Sequence, residues 1–162
     1  MGGGRGAIGV AVAVGVLAAC ALVRPMAPQY TAGSAVIEEL RAPGVDAPVE
    51  PLALRQGSFI DDASDEARGG AGAIYGDRDG WQVRLERFGV PGEVGTLVIQ
   101  PPPGTDGVNP AMAGSVGAEC VADLRGADAA GFAGTITCER MRSELPGARR
   151  GIRARITFEA RP

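Results

Sequence analysis

The sequence predicts an all-β fold, an antiparallel β-sandwich or small barrel of about seven strands, preceded by a helical signal segment. Three observations carry that expectation. Residues 152–159 alternate strictly, with Ile152, Ala154, Ile156 and Phe158 on one face and Arg153, Arg155, Thr157 and Glu159 on the other, which is the two-residue period of a half-buried strand. Asp79-Gly80, a strong tight-turn dipeptide, leads directly into a second alternation in which Trp81, Val83 and Leu85 interleave with Gln82, Arg84 and Glu86. Glycine and proline supply 26 and 12 of the 162 residues, a content that favours turns and short strands over long helices.

Along the chain, residues 1–19 form the first unit. Arg5 is followed by an apolar core from Ala7 to Ala19 that closes on small residues, the three parts of an export signal. Leu17-Ala18-Ala19-Cys20 resembles the lipobox of bacterial lipoproteins, in which a peptidase cuts before the cysteine and the new N-terminal cysteine receives acyl chains. That resemblance implies that Cys20 is the first mature residue, is acylated, and joins the protein to membrane lipid. Several acyl chains, at about 0.8 kcal/mol per buried CH₂, hold a protein stably where one does not. Two other readings of the same residues stay open. Ala19-Cys20-Ala21 fits an ordinary A-x-A secretory cleavage, and the apolar stretch extended to Val23 gives 17 residues before Arg24, the lower edge of an uncleaved spanning helix. All three place the domain outside the cytoplasm, and two of them fix it to the cell membrane.

Residues 20–33 contain Pro25, Pro28 and Gly33 with no periodic pattern and read as a flexible tether. Its root-mean-square span is near 20 Å. The β-domain is expected over residues 34–162. Strand candidates are residues 35–40, which also fit a helical turn, then 52–60, 94–100, 115–124, 132–138 and 152–159, with a hairpin over about 71–88. Pro101-Pro102-Pro103-Gly104 through Pro110 cannot continue a central strand and reads as a surface connection.

Cys20, Cys120 and Cys138 are the three cysteines. Once Cys20 is removed or acylated, two remain, and in an oxidising compartment a Cys120–Cys138 disulfide is the default expectation. The segment between Leu124 and Phe132 suits a hairpin loop centred near Ala129, which would bring the two cysteines together across adjacent strands. The bridge would close a loop of about 19 residues and contribute roughly 3 kcal/mol in the chain-entropy model. A metal pair is the poorer reading, since the chain has no histidine and two thiolates leave structural zinc short of ligands. No metal and no cofactor is expected.

Asp79-Gly80-Trp81, Cys120, Gly134-Thr135-Ile136-Thr137-Cys138 and Ile156-Thr157-Phe158-Glu159-Ala160 together resemble a layout found in uncharacterised small single-domain envelope lipoproteins of high-GC bacteria. The resemblance implies a signal, a leash and one disulfide-bearing β-domain, with no catalytic residues to carry over.

Chemistry is narrowed by subtraction. All 16 basic residues are arginine and there is no histidine, so imidazole acid-base catalysis, Ser-His triads and lysine Schiff bases are excluded. The expectation is therefore a non-catalytic binding or structural module. The alternative is an enzyme using carboxylates alone, which needs two acids converging in a cleft. The acidic cluster Asp61, Asp62, Asp65 and Glu66 lies among turn formers and reads as a solvated loop. The formal charge of −3 argues against nucleic acid as a partner.

Charge is nonetheless uneven. Residues 38–66 hold eight acids and two arginines, whereas residues 139–162 hold seven arginines and three acids. Arg140, Arg142, Arg149, Arg150, Arg153 and Arg155 form a candidate patch for an anionic partner, such as head groups, an envelope polymer or a protein. The bland reading is that they line a wet strand face and pair with the acidic segment. Trp81 is expected as the core anchor of its strand, with a ligand platform as the alternative if it is exposed in a concave site beside Tyr75.

Overall fold

The computed structural model describes residues 29–60, 70–89, 95–104, 111–143 and 151–162. The expected signal, Cys20 and the tether up to residue 28 lie outside these residues. The described chain forms β1 (Gln29–Tyr30), β2 (Ala32–Arg41), β3 (Leu52–Ile60), β4 (Gly70–Gly76) and β5 (Gln82–Phe88), then β6 (Thr96–Gln100), β7 (Met112–Ser115), β8 (Cys120–Asp128), β9 (Gly131–Ser143) and β10 (Ile152–Arg161). The fold is all-β, and no helix occurs among the described residues.

Every strand pairing is antiparallel. The order runs β1-β3-β2-β10-β9-β7-β6-β5-β4, and β4 pairs back onto β3, so a single ten-stranded sheet curves into a ring. Closure pairs most strands on both sides, and β1 and β8 keep one partner strand each among the described residues. β8 lies beside β9 off this path. It continues the line of β7 after the turn at Val116–Glu119, so β7 and β8 occupy successive stretches of the same edge of β9.

Local chemistry explains the elements. In β10 the five inward positions Ile152, Ala154, Ile156, Phe158 and Ala160 are all buried, and their neighbours face out. The β8–β9 turn is held by Asp128, whose Oδ1 accepts hydrogen bonds from the Ala130 and Gly131 amides at 2.8 and 3.2 Å, an Asx turn. At the β4–β5 turn Gly76 has φ +84° and a Cβ there would run into the Trp81 carbonyl, so the position requires glycine.

The ring interior is filled. Phe132 sits at its centre, with ring centroids of Phe158, Phe88 and Tyr30 at 4.7, 5.4 and 6.4 Å. No polar or charged residue is fully buried among the described residues except the tyrosines, which carry their hydroxyls to backbone oxygens. Tyr30 donates to the Asp128 carbonyl at 2.6 Å and Tyr75 to the Glu159 carbonyl at 3.1 Å. Burial, then the nearby Asp128 carboxylate, pushes the Tyr30 phenol up to about 12, and burial followed by Glu159 raises Tyr75 as well.

Several boundaries differ from the sequence expectation. The sheet includes residues ahead of the expected domain start at Ser34: β1 holds Gln29 and Tyr30, whose ring packs in the core, and the Thr31 amide donates to the Arg161 carbonyl at 2.8 Å. Residues 35–40 are strand and not a helical turn, extended by pairing with β10. The expected strand over 115–124 is two strands, parted by a turn in which the Ala118 and Glu119 amides donate to the Ser115 carbonyl. The strand expected to end at Cys138 runs on to Ser143. An extra residue in β9 between Cys138 and Met141 leaves both Glu139 and Arg140 facing out while Met141 returns to the core.

Candidate functional site

Cys120 and Cys138 are register partners on β8 and β9. Their Cα atoms are 4.0 Å apart and their sulfurs are bonded at 1.99 Å. Both are buried at the base of the core. Gly114 of β7 makes room for them, since a Cβ at that position would lie 2.5 Å from the Cys120 sulfur. A disulfide so enclosed acts as a staple between strands, because a redox role needs an accessible sulfur.

Of the candidate arginines, Arg142, Arg153 and Arg155 lie on the outward face, and each of these three meets a carboxylate. Arg155 pairs with Glu38 at 2.9 Å, and the other oxygen of Glu38 accepts a bond from the Thr157 hydroxyl at 2.6 Å. Arg153 pairs with Glu139 at 3.0 Å. Arg142 contacts Glu119 through Nη2 at 2.8 Å and Nε at 3.0 Å. The Ser115 amide donates to the second oxygen of Glu119 at 3.1 Å. That amide, then Arg142, holds the Glu119 carboxyl below the usual carboxylate range.

Arg140 is exposed and has no ion pair among the described residues, and Arg149 and Arg150 lie outside them. The face therefore carries alternating charge along β2, β10 and β9, and the contact between Glu38 and Arg155 joins the acidic and basic stretches of the sequence. Exposed pairs of this kind add little stability, typically below about 1 kcal/mol. Their consequence is to cancel the positive field that an anionic partner would need.

A concave feature among the described residues lies elsewhere. A groove of about 410 Å³ opens between the start of β3 and the β4–β5 turn. Leu52, Leu54 and Trp81 form its apolar wall, and Glu50, Arg55 and Asp77 bring polar groups to it. Pro48 and Pro51 shape the approach from the connection before β3. One guanidinium nitrogen of Arg55 donates to Gln82 Oε1 at 3.4 Å, and Gln82 Nε2 donates to the Arg78 carbonyl at 3.1 Å. The strand and the turn that flank the groove are thereby joined by side chains.

Trp81 departs from its expected place. It is half-buried, packs on the margin of the core and walls this groove, whereas Tyr75 on the neighbouring strand is the fully buried aromatic. The reason is position: Trp81 precedes the first residue of β5, at the point where the hairpin leaves the ring. Its place directly after Asp79-Gly80 was the available signal. Glu50 carried none, because only folding brings the connection before β3 beside the Asp77 turn.

Asp61, Asp62, Asp65 and Glu66 lie outside the described residues. Among the described residues no group of three or more Cys, Asp or Glu side chains converges as metal ligands would, and no helix is long and apolar enough to cross a membrane. Comparison with protein families, with curated proteins and with solved structures gives no match.

Proposed function

We propose that this protein is an exported, membrane-anchored, non-catalytic binding or structural module of the cell envelope. The observation that carries the reading is the Cys120–Cys138 pair, closed inside the domain and suited to an oxidising compartment. It leaves Cys20 as the one cysteine outside that pair, in the sequence context that resembles a lipobox. β1 begins at Gln29, nine residues after Cys20, so an acylated Cys20 would keep the domain close to a lipid surface. Mass spectrometry of the mature N-terminus in a membrane fraction is the test. An acylated Cys20 supports the reading; a chain beginning at Leu22 replaces it with a soluble secreted protein, and an intact Met1 replaces lipid with an uncleaved anchor.

A second reading, an enzyme that uses carboxylates alone, is favoured by one observation: Glu50 and Asp77 line the same groove. Such an enzyme would hydrolyse a glycosidic substrate and lose turnover in both Glu50→Gln and Asp77→Asn. Absence of any product from oligosaccharides incubated with the intact protein rejects it.

A further inference from the structure

We propose that the groove walled by Trp81 binds a neutral saccharide. The inference goes beyond the location and module class proposed above and holds whether or not the chain is anchored.

The groove has the size of a small-ligand site, for which about 300–1,000 Å³ is usual, at about 410 Å³. Its wall divides chemically. Trp81, Leu52 and Leu54 offer apolar surface, and an indole is the side chain that joins a broad flat apolar body to a hydrogen-bond donor. Glu50, Asp77 and Arg55 offer two acceptor-only groups and one donor-only group.

No ion pair joins Arg55 to either carboxylate: its contact is with the neutral amide of Gln82. Glu50 has no side-chain partner among the described residues and is not among those with further contacts. The groove thus presents carboxylate acceptors, and guanidinium donors that the protein uses only in the one contact with Gln82.

Charge then selects the ligand. An anion drawn to Arg55 meets two carboxylates in the same groove, and a cation drawn to those carboxylates meets Arg55. A neutral polyol escapes both penalties, because each hydroxyl donates to a carboxylate or accepts from a guanidinium. It must also carry an apolar face to cover Trp81 and the leucines. Pyranose rings combine these features, with C–H groups on the ring faces and hydroxyls around the rim. The half-buried tryptophan and the unused polar groups are therefore satisfied together by one class of ligand.

Trp81 is the only tryptophan of the chain, so its emission reads the groove directly. The full chain, disulfide intact and in a sugar-free detergent, is titrated with cellotetraose, chitotetraose and maltotetraose. Tetragalacturonate and the glucosamine tetramer serve as anionic and cationic counterparts. The expected result is a saturable emission change with at least one neutral oligosaccharide, at least tenfold tighter than with either charged one. Glu50→Gln and Arg55→Gln should each weaken that binding about tenfold, the scale of one hydrogen bond to a charged group, with the melting temperature unchanged. Both lie on the rim outside the core, so folding does not confound them. No saturable change with any neutral oligosaccharide, a preference for a charged one, or neutral binding that survives both substitutions overturns the proposal.

Discussion

The β8–β9–β10 side of the ring and the β3–β4–β5 side are built from different side chains to different ends. On the first, strands of 13 and 10 residues carry Phe132, Ile136, Ile156 and Phe158, all fully buried, and a disulfide ties β8 to β9. On the second, β4 turns Ala71, Ala73 and Tyr75 inward, with glycine at 70, 72 and 76, and the sheet opens to the groove beside Trp81. β5 adds Val83, Leu85 and Phe88 to the common core, so both sides share in its packing. The proposed recognition site lies where small residues and a turn leave room. A site needs exposed, unsatisfied groups, which a packed core excludes, and the molecule separates the two demands in space.

The contrast is most directly broken by emptying the first side. Phe132→Ala removes the ring that touches three other aromatics and should cost about 3–5 kcal/mol, read from urea unfolding; a loss near 1 kcal/mol would mean that the core does not centre there. Next in size is the disulfide. Converting Cys120 and Cys138 together to alanine should lower stability by roughly 3 kcal/mol while leaving the Trp81 emission spectrum of the folded protein unchanged, since the staple lies away from the groove.

Gly76→Ala tests the second side. Its φ of +84° and the Trp81 carbonyl in the way of a Cβ predict a loss of about 2 kcal/mol. This variant should also shift Trp81 emission, which the cysteine variant does not. Tyr75→Phe, which deletes the hydroxyl reaching Glu159 from across the ring, should cost about 1 kcal/mol.

The same tyrosines set an alkaline limit. Their folded values lie above the ordinary 10.0, so the folded state holds its phenolic protons more tightly than the unfolded state. Their contribution is complete below pH 10 and is lost as pH rises through the folded values. Phenylalanine at both positions should flatten melting temperature against pH in that window. The smallest effect belongs to the outward face. Arg155→Ala breaks a contact with Glu38 between partners that are 55% and 40% exposed and should change stability by less than about 1 kcal/mol. A larger loss would make the charge ladder part of the scaffold.

How much could be read beforehand depended on how local the deciding interaction was. β10 and the β4–β5 hairpin were legible because alternation and Asp79-Gly80 act within a few residues. The disulfide was legible from a hairpin loop centred between the two cysteines. β1 was not, since only the buried ring of Tyr30 marks it and its partners Gly57 and Ser58 in β3 lie far along the chain. The turn that divides β7 from β8 escaped notice because its residues continue an apolar pattern. Both Trp81 and the arginine patch were misplaced or incompletely read for the same reason: whether a side chain is anchored, exposed or neutralised depends on residues remote in sequence, as Glu38 shows for Arg155.

The sequence by itself determined the all-β class, the position of most strands and the pairing of Cys120 with Cys138, because two-residue periodicity and turn chemistry are local properties of the backbone. Only the tertiary structure decided that the sheet closes as a ring through β3 and β4, that Arg142, Arg153 and Arg155 sit opposite carboxylates, and that Glu50, Arg55, Asp77 and Trp81 share one groove. Those outcomes rest on contacts between segments with no sequence signal linking them, and they arise when burial of the common core brings the segments together.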